Sequence, residues 1–166
     1  MSLPEPATQE AYAYTDGAST GSRGPGGYGV VIYWEGKTEE ISGGVQDTTN
    51  LGMELTAACV ALEAIDKGHI VTVYSDSSYL VNCMRRDWHK KWRDNGWLNY
   101  RNEPVANRDL WERLLVVTQR HQEVRWRKVK GHSKTAGPHK SGNDRADELA
   151  VAAKKEATRP PKRSLS

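Results

Sequence analysis

A chain of 166 residues, with 37% hydrophobic residues, six Trp and seven Tyr, is long enough for one domain and apolar enough to bury a core. Wholesale disorder is therefore excluded despite a mean hydropathy of −0.76, and no apolar run approaches the ~20 residues that a bilayer demands. The net charge of +3 hides an asymmetry: residues 1–66 hold two basic and ten acidic groups, a balance of −8, whereas residues 67–166 hold 22 basic and 11 acidic, a balance of +11.

A basic half points to a polyanionic partner, with nucleic acid the commonest one in the cytosol. The opening MSLPEPATQE has neither the basic start nor the apolar stretch of a signal peptide, so a cytoplasmic protein is expected. Cys59 and Cys83 have no partner cysteine and no histidine at metal spacing. They read as reduced, packed thiols, and zinc is not expected.

A flexible lead over residues 1–10 is followed by AYAYTD at 11–16, alternating residues that predict a strand ending in an acid. The next two strands are YGVVIYW at 28–34 and KTEEISGGV at 37–45, which makes a meander of hairpins. Leu51, Leu55, Ala58, Leu62 and Ile65 recur at helical spacing and predict a helix over 51–67, with Thr49 and Asn50 as cap candidates and Gly68 as its stop. HIVTVYSD at 69–76 is a β-branched run, again closed by an acid, and reads as a buried central strand.

A short helix over 77–84 leads into a Trp- and Arg/Lys-rich segment without a clean period. Residues 107–121 then read as a helix, and 124–129 as an edge strand carrying Trp126. After a Gly, Ser and Lys-rich loop, a last helix is predicted over 143–157, started by a Ser141-x-x-Asp144 capping box. The basic end, residues 158–166, is expected to be disordered. His121 and His139 read as surface residues, Trp111 and Trp126 as core. The order βββαβαααβα calls for an α/β fold, a mixed sheet with helices on both faces.

One motif misleads. Gly24-Pro25-Gly26-Gly27-Tyr28-Gly29 satisfies the dinucleotide fingerprint, but VVIYW follows where that fingerprint needs a helix. The glycines read instead as a tight hairpin with positive φ angles.

Asp16 and Asp76 each close a strand, which places them at the carboxyl edge of an open sheet, where ligand crevices form. Glu54 lies in the first turn of the long helix and Asp147 in the last helix. Two readings stay open on spacing alone: a cluster tolerable only with hard, oxygen-seeking cations, or acids that cap turns and offset helix dipoles.

The motifs YTDGASTG at 14–21, GPGGYG at 24–29, TTNxxMELxAA at 48–58, YSDSSY at 74–79, VKGH at 129–132 and NDRADELA at 143–150 occur in order and resemble ribonuclease H of the single-domain bacterial type. The likeness spans roughly residues 11–155. WHKKWRDNGW at 88–97 also resembles that family's basic protrusion, here about 85–103. What the resemblance implies is a five-stranded ribonuclease H-like fold that hydrolyses the RNA strand of RNA/DNA hybrids with two Mg²⁺ ions, Mn²⁺ being a substitute. It would act as a monomer, leave 5′-phosphate and 3′-hydroxyl ends, and read little of the base sequence.

By position, Asp16, Glu54, Asp76 and Asp147 match the family's metal-binding carboxylates, and His132 the histidine that assists proton transfer or product release. Thr49 and Asn107 match residues that hold a DNA phosphate. Gly17, Ser22, Asn50, Ser78, Trp88, Lys90, Lys91 and Trp92 complete the expected substrate contacts, the last four along the DNA backbone. The chain departs from the pattern where hybrid is read: Ser22 and Leu51 replace Asn, Ser78 replaces Gln, and Asp47 stands where relatives carry Arg. The alternatives are a binding protein that no longer cuts and a nuclease for another duplex.

Overall fold

The computed structural model describes residues 9–129 and 138–159. Its elements follow the order read from the sequence: β1 (Glu10–Ser19), β2 (Gly24–Trp34), β3 (Lys37–Thr48), α1 (Asn50–Ala64), β4 (Ile70–Ser75), α2 (Ser78–Arg85), α3 (Trp88–Asp94), α4 (Arg108–Thr118), β5 (Glu123–Lys128) and α5 (Pro138–Thr158). The strands form one sheet in the order β3-β2-β1-β4-β5. The meander β1–β2–β3 is antiparallel, whereas β4 runs parallel to both β1 and β5. That change of direction follows from the length of the connection, because the α1 crossover returns the chain to the same end of the sheet.

The two faces are covered differently. Ala11, Ala13, Val30, Ile32, Val71 and Val73 form a continuous core with Leu55, Leu62, Leu80, Trp111 and Leu114, placing α1, α2 and α4 over one face. Each large apolar side chain buried there contributes roughly 1.5–3 kcal/mol. On the other face a smaller cluster joins Tyr14 and Val31 to Ala146, with Tyr33, Tyr74 and Leu149 packed beside it.

That second face explains two of the glycines of β2, Gly27 and Gly29, and the strand as a whole corrects the hairpin reading. Gly24, Gly26, Gly27 and Gly29 lie inside the strand and do not adopt positive φ. A Cβ on Gly27 would lie 2.5 Å from the Ala150 carbonyl oxygen, and one on Gly29 would sit 2.7 Å from the Leu149 Cβ. Bare backbone on β2 lets α5 rest directly on the sheet.

Several element boundaries also differ from expectation. α1 stops at Ala64 because Ile65 turns extended (ψ 133), and Gly68 (φ 87) serves the following turn rather than the helix end. α5 starts at Pro138, a residue suited to a first turn, so Ser141 and Asp144 lie within the helix rather than at its start. Glu10 and Thr158 belong to β1 and α5, and the expected disorder of the remaining lead and tail falls on residues 1–8 and 160–166, outside the described ones. His121 is no surface residue: it is 8% exposed and its Nε2 meets the Leu62 carbonyl oxygen at 2.8 Å. Trp111 and Trp126 are core, at 0% and 5% exposure. Among the described residues no helix is long and apolar enough to cross a membrane.

Candidate active site

Register delivers the first two acids. Tyr14 of β1 pairs with Tyr74 of β4 in the parallel ladder, and their rings stack at 4.6 Å with planes 8° apart. Two residues further along each chain stand Asp16, still within β1 and on the Tyr14 face by the strand period of two, and Asp76, just past the end of β4. Glu54 arrives from the second turn of α1 rather than the first, and the helix start is set by Thr49, whose Oγ1 accepts the Gly52 N–H at 3.0 Å. Gly17 makes the approach possible, because a Cβ there would lie 2.5 Å from the Glu54 nitrogen. Carboxylate oxygens of Asp16, Glu54 and Asp76 all come within 4.8 Å of one another, Asp16 buried and Asp76 the most open. α5 supplies the fourth acid, with the Asp147 side chain hydrogen-bonded to Asp16.

The electrostatics follow from the crowding. Burial first, then the Asp76 charge and the hydrogen bond with Asp147, push the Asp16 carboxyl up to about 8, and the Gly17 N–H, donating to Oδ1 at 2.9 Å, opposes this. Burial also pushes Glu54 up to about 7, with the Asp76 charge adding and a hydrogen bond from Ser77 subtracting. Carboxyl groups this close retain protons at neutral pH unless a cation neutralises them. The donor set is all oxygen, which fits a hard divalent cation. Ser77 had not been singled out from the sequence, although it lies within the YSDSSY motif. It bonds Glu54 while its Oγ accepts the Leu80 N–H at 3.3 Å, linking the start of α2 to α1.

The remaining expected contacts divide. Thr49 and Asn107 come together on the wall of a groove of ≈ 550 Å³ beside α1. A Cβ on Gly52 would meet their Oγ1 and Oδ1 at 3.2 and 3.4 Å. Asn50 is exposed, and its Oδ1 accepts from the Ser19 N–H at 2.8 Å and the Ser19 hydroxyl at 3.0 Å. Ser22 and Ser78 are exposed, as are Lys90 and Lys91 on α3.

Trp88 is half-buried, edge-on to Tyr79 at 5.7 Å. Trp92 must be corrected: at 7% exposure its indole packs against Trp111 at 5.3 Å and Trp97 at 6.2 Å, so it anchors the protrusion to the core and offers no face to a nucleotide. His132 lies outside the described residues.

Comparisons with known proteins agree with this architecture. The sequence model of a family described as RNase H matches residues 8–155. A ribonuclease H of Desulforamulus reducens is 48% identical over 152 residues, 92% of each chain. Among solved structures, LC9-RNase H1, described as a type 1 RNase H, superposes with a TM-score of 0.76 at 28% identity, covering 95% of this chain and 76% of that one. LC11-RNase H1, solved in complex with an RNA/DNA hybrid, gives a TM-score of 0.66 at 26% identity, covering 90% and 99%.

Proposed function

The chain belongs to the ribonuclease H family, and on that premise we propose that it hydrolyses the RNA strand of RNA/DNA hybrids with two Mg²⁺ ions, leaving 5′-phosphate and 3′-hydroxyl ends without strong sequence preference. The observation that carries this reading is the convergence of Asp16, Glu54 and Asp76 within 4.8 Å, with Asp147 bonded to Asp16. When bound, the two ions supply an activated water and positive charge against the leaving 3′ oxygen. Mn²⁺ can replace Mg²⁺.

The protein's part is placement. Asp16, flanked by Asp76 and Asp147, would hold the ions together with them, and the resemblance gives it the role of serving both, while Ser77 and the α1 cap orient Glu54. His132 assists proton transfer or product release. Thr49 accepts from Gly52 through Oγ1, which leaves its hydroxyl proton to donate to a DNA phosphate beside Asn107. With its oxygen turned to Ser19, Asn50 has both amide hydrogens to offer the hybrid's minor groove, where 2′-hydroxyls and base edges are exposed. Gly17, Ser22, Ser78 and Trp88 line the approach, and Lys90 and Lys91 neutralise the DNA backbone.

The test uses end-labelled hybrid, RNA duplex and DNA duplex. The hybrid alone should be cut with Mg²⁺, and EDTA should stop the reaction. Intact hybrid under both Mg²⁺ and Mn²⁺, or undiminished cleavage in EDTA, would overturn the proposal. Within it, replacing Lys90 and Lys91 by Ala should raise KM and flatten its salt dependence, the slope of log KM against log salt falling by about 1–2 if both touch phosphates. An unchanged slope would remove them from the interface.

A further inference from the structure

We propose that Arg23 is a phosphate-gripping cation of this chain and that Asp47 is the positioning residue that holds it. The inference rests on the hybrid reading above and adds to it a residue that the motifs do not supply. Arg23 sits at the end of the turn between β1 and β2. Its Nε donates to Asp47 Oδ1 at 2.9 Å and its Nη2 to Oδ2 at 3.2 Å, a two-pronged fork across the strand pair. The register produces the meeting: Gly24 pairs with Thr48, so Arg23 and Asp47 are diagonal neighbours within reach of a long side chain.

Both residues line the groove that holds Thr49 and Asn107. Its other cations are held from outside: Arg108 by Glu112 at 2.7 Å, and Arg113 by Glu63. Only Arg23 is held by an acid of the groove wall itself. The fork occupies the Nε hydrogen and one on Nη2, leaving three guanidinium N–H groups for an oxyanion. Arg23 and Asp47 are 64% and 70% exposed, so the pair adds little to stability.

A carboxylate in a phosphate groove would otherwise repel its ligand. Paired, Asp47 aims a cation instead, and the groove takes a positive charge from the neighbouring turn.

A double-mutant cycle on hybrid cleavage separates holder from repeller. Arg23→Ala should raise KM about 5–10-fold with kcat within about twofold, and shallow the salt slope by about one. Arg23→Lys, which keeps charge but loses the fork, should recover part of the loss. Asp47→Ala should raise KM when Arg23 is present and lower it in the Arg23→Ala background, where only a bare carboxylate remains. Unchanged KM in Arg23→Ala, or the same fall in KM from Asp47→Ala in both backgrounds, overturns the inference while leaving the hybrid reading intact. Failure of the unsubstituted protein to cut hybrid overturns both.

Discussion

Asp16→Asn is expected to abolish cleavage while leaving a protein that is more stable than the parent in EDTA. Asparagine keeps the shape and a hydrogen-bonding oxygen but removes the charge that burial, Asp76 and Asp147 jointly oppose. The folded protein holds the Asp16 proton up to about pH 8 against an ordinary 3.8, and the Glu54 proton up to about 7 against 4.5. A raised acid makes the native state bind more protons than the unfolded chain. The stability from these two groups is therefore fully present below about pH 4 and is lost as pH rises through 7 and 8. At pH 8 without metal, the substitution should restore on the order of 3 kcal/mol, which raises Tm by about 6 °C or more for a chain of this size.

Cleavage should fall by about 10³-fold or more, since the carboxylate to which the resemblance gives the role of serving both ions is gone. Thermal melts in EDTA from pH 5 to 8.5 and single-turnover assays check the two halves. Normal turnover would remove Asp16 from the ligand set, and a flat pH profile in the parent would contradict the crowding described for the carboxylates.

Gly29→Val should unfold or severely loosen the protein although Gly29 lies on a β-strand, where valine is the better strand former. Strand preference for Val over Gly favours the variant by about 1 kcal/mol. Against it, a Cβ at position 29 would fall inside the van der Waals shell of the Ala146 carbonyl oxygen and 2.8 Å from the Ala150 nitrogen. Both are helix backbone atoms that cannot rotate away, so the steric cost, about 3 kcal/mol or more, wins. Asp147 follows Ala146 on α5, so lifting the helix by about 1 Å should also lower kcat roughly 10²-fold in whatever fraction stays folded. Gly29→Ala should show the same effects more weakly. Melting temperatures and kcat measured together decide the matter, and a Val variant as stable as the parent would show that α5 does not rest on the strand.

Much of the fold was legible because local signals agreed. The switch from period two to helical period near Leu51 set the element order, and Asp76 does follow the end of β4, but β1 runs on past Asp16 to Ser19, so Asp16 lies within its strand and does not close it. Asp16, Glu54, Asp76 and Asp147 each stand out through a motif, but register brings together only Asp16 and Asp76, whereas Glu54 and Asp147 arrive on α1 and α5. What stayed hidden has a common cause: one residue type can satisfy two physical demands. Glycine in β2 could mean positive φ or close approach, and at Gly27 and Gly29 it is the packing of α5 that decides for close approach. Trp88 and Trp92 lie four residues apart on one short helix, yet one reaches the surface and the other packs on Trp111. His121 follows a polar helix end, and nothing local announces that the Leu62 carbonyl oxygen will accept from its imidazole across 59 residues. The Arg23–Asp47 fork is likewise set by a strand register that sequence spacing does not encode.

The parallel pairing of β1 with β4 has a consequence beyond topology. Asp16 and Asp76 each stand two residues past Tyr14 and Tyr74, the last pair of that ladder, so the point where their two chains part is set by peptide hydrogen bonding, about 4.8 Å between adjacent strands, rather than by the side chains around them. The bite of the site is thus gauged by the backbone. It should tolerate repacking of the core beneath it, and it would be lost outright by a one-residue slip of β4, which would turn Asp76 to the opposite face.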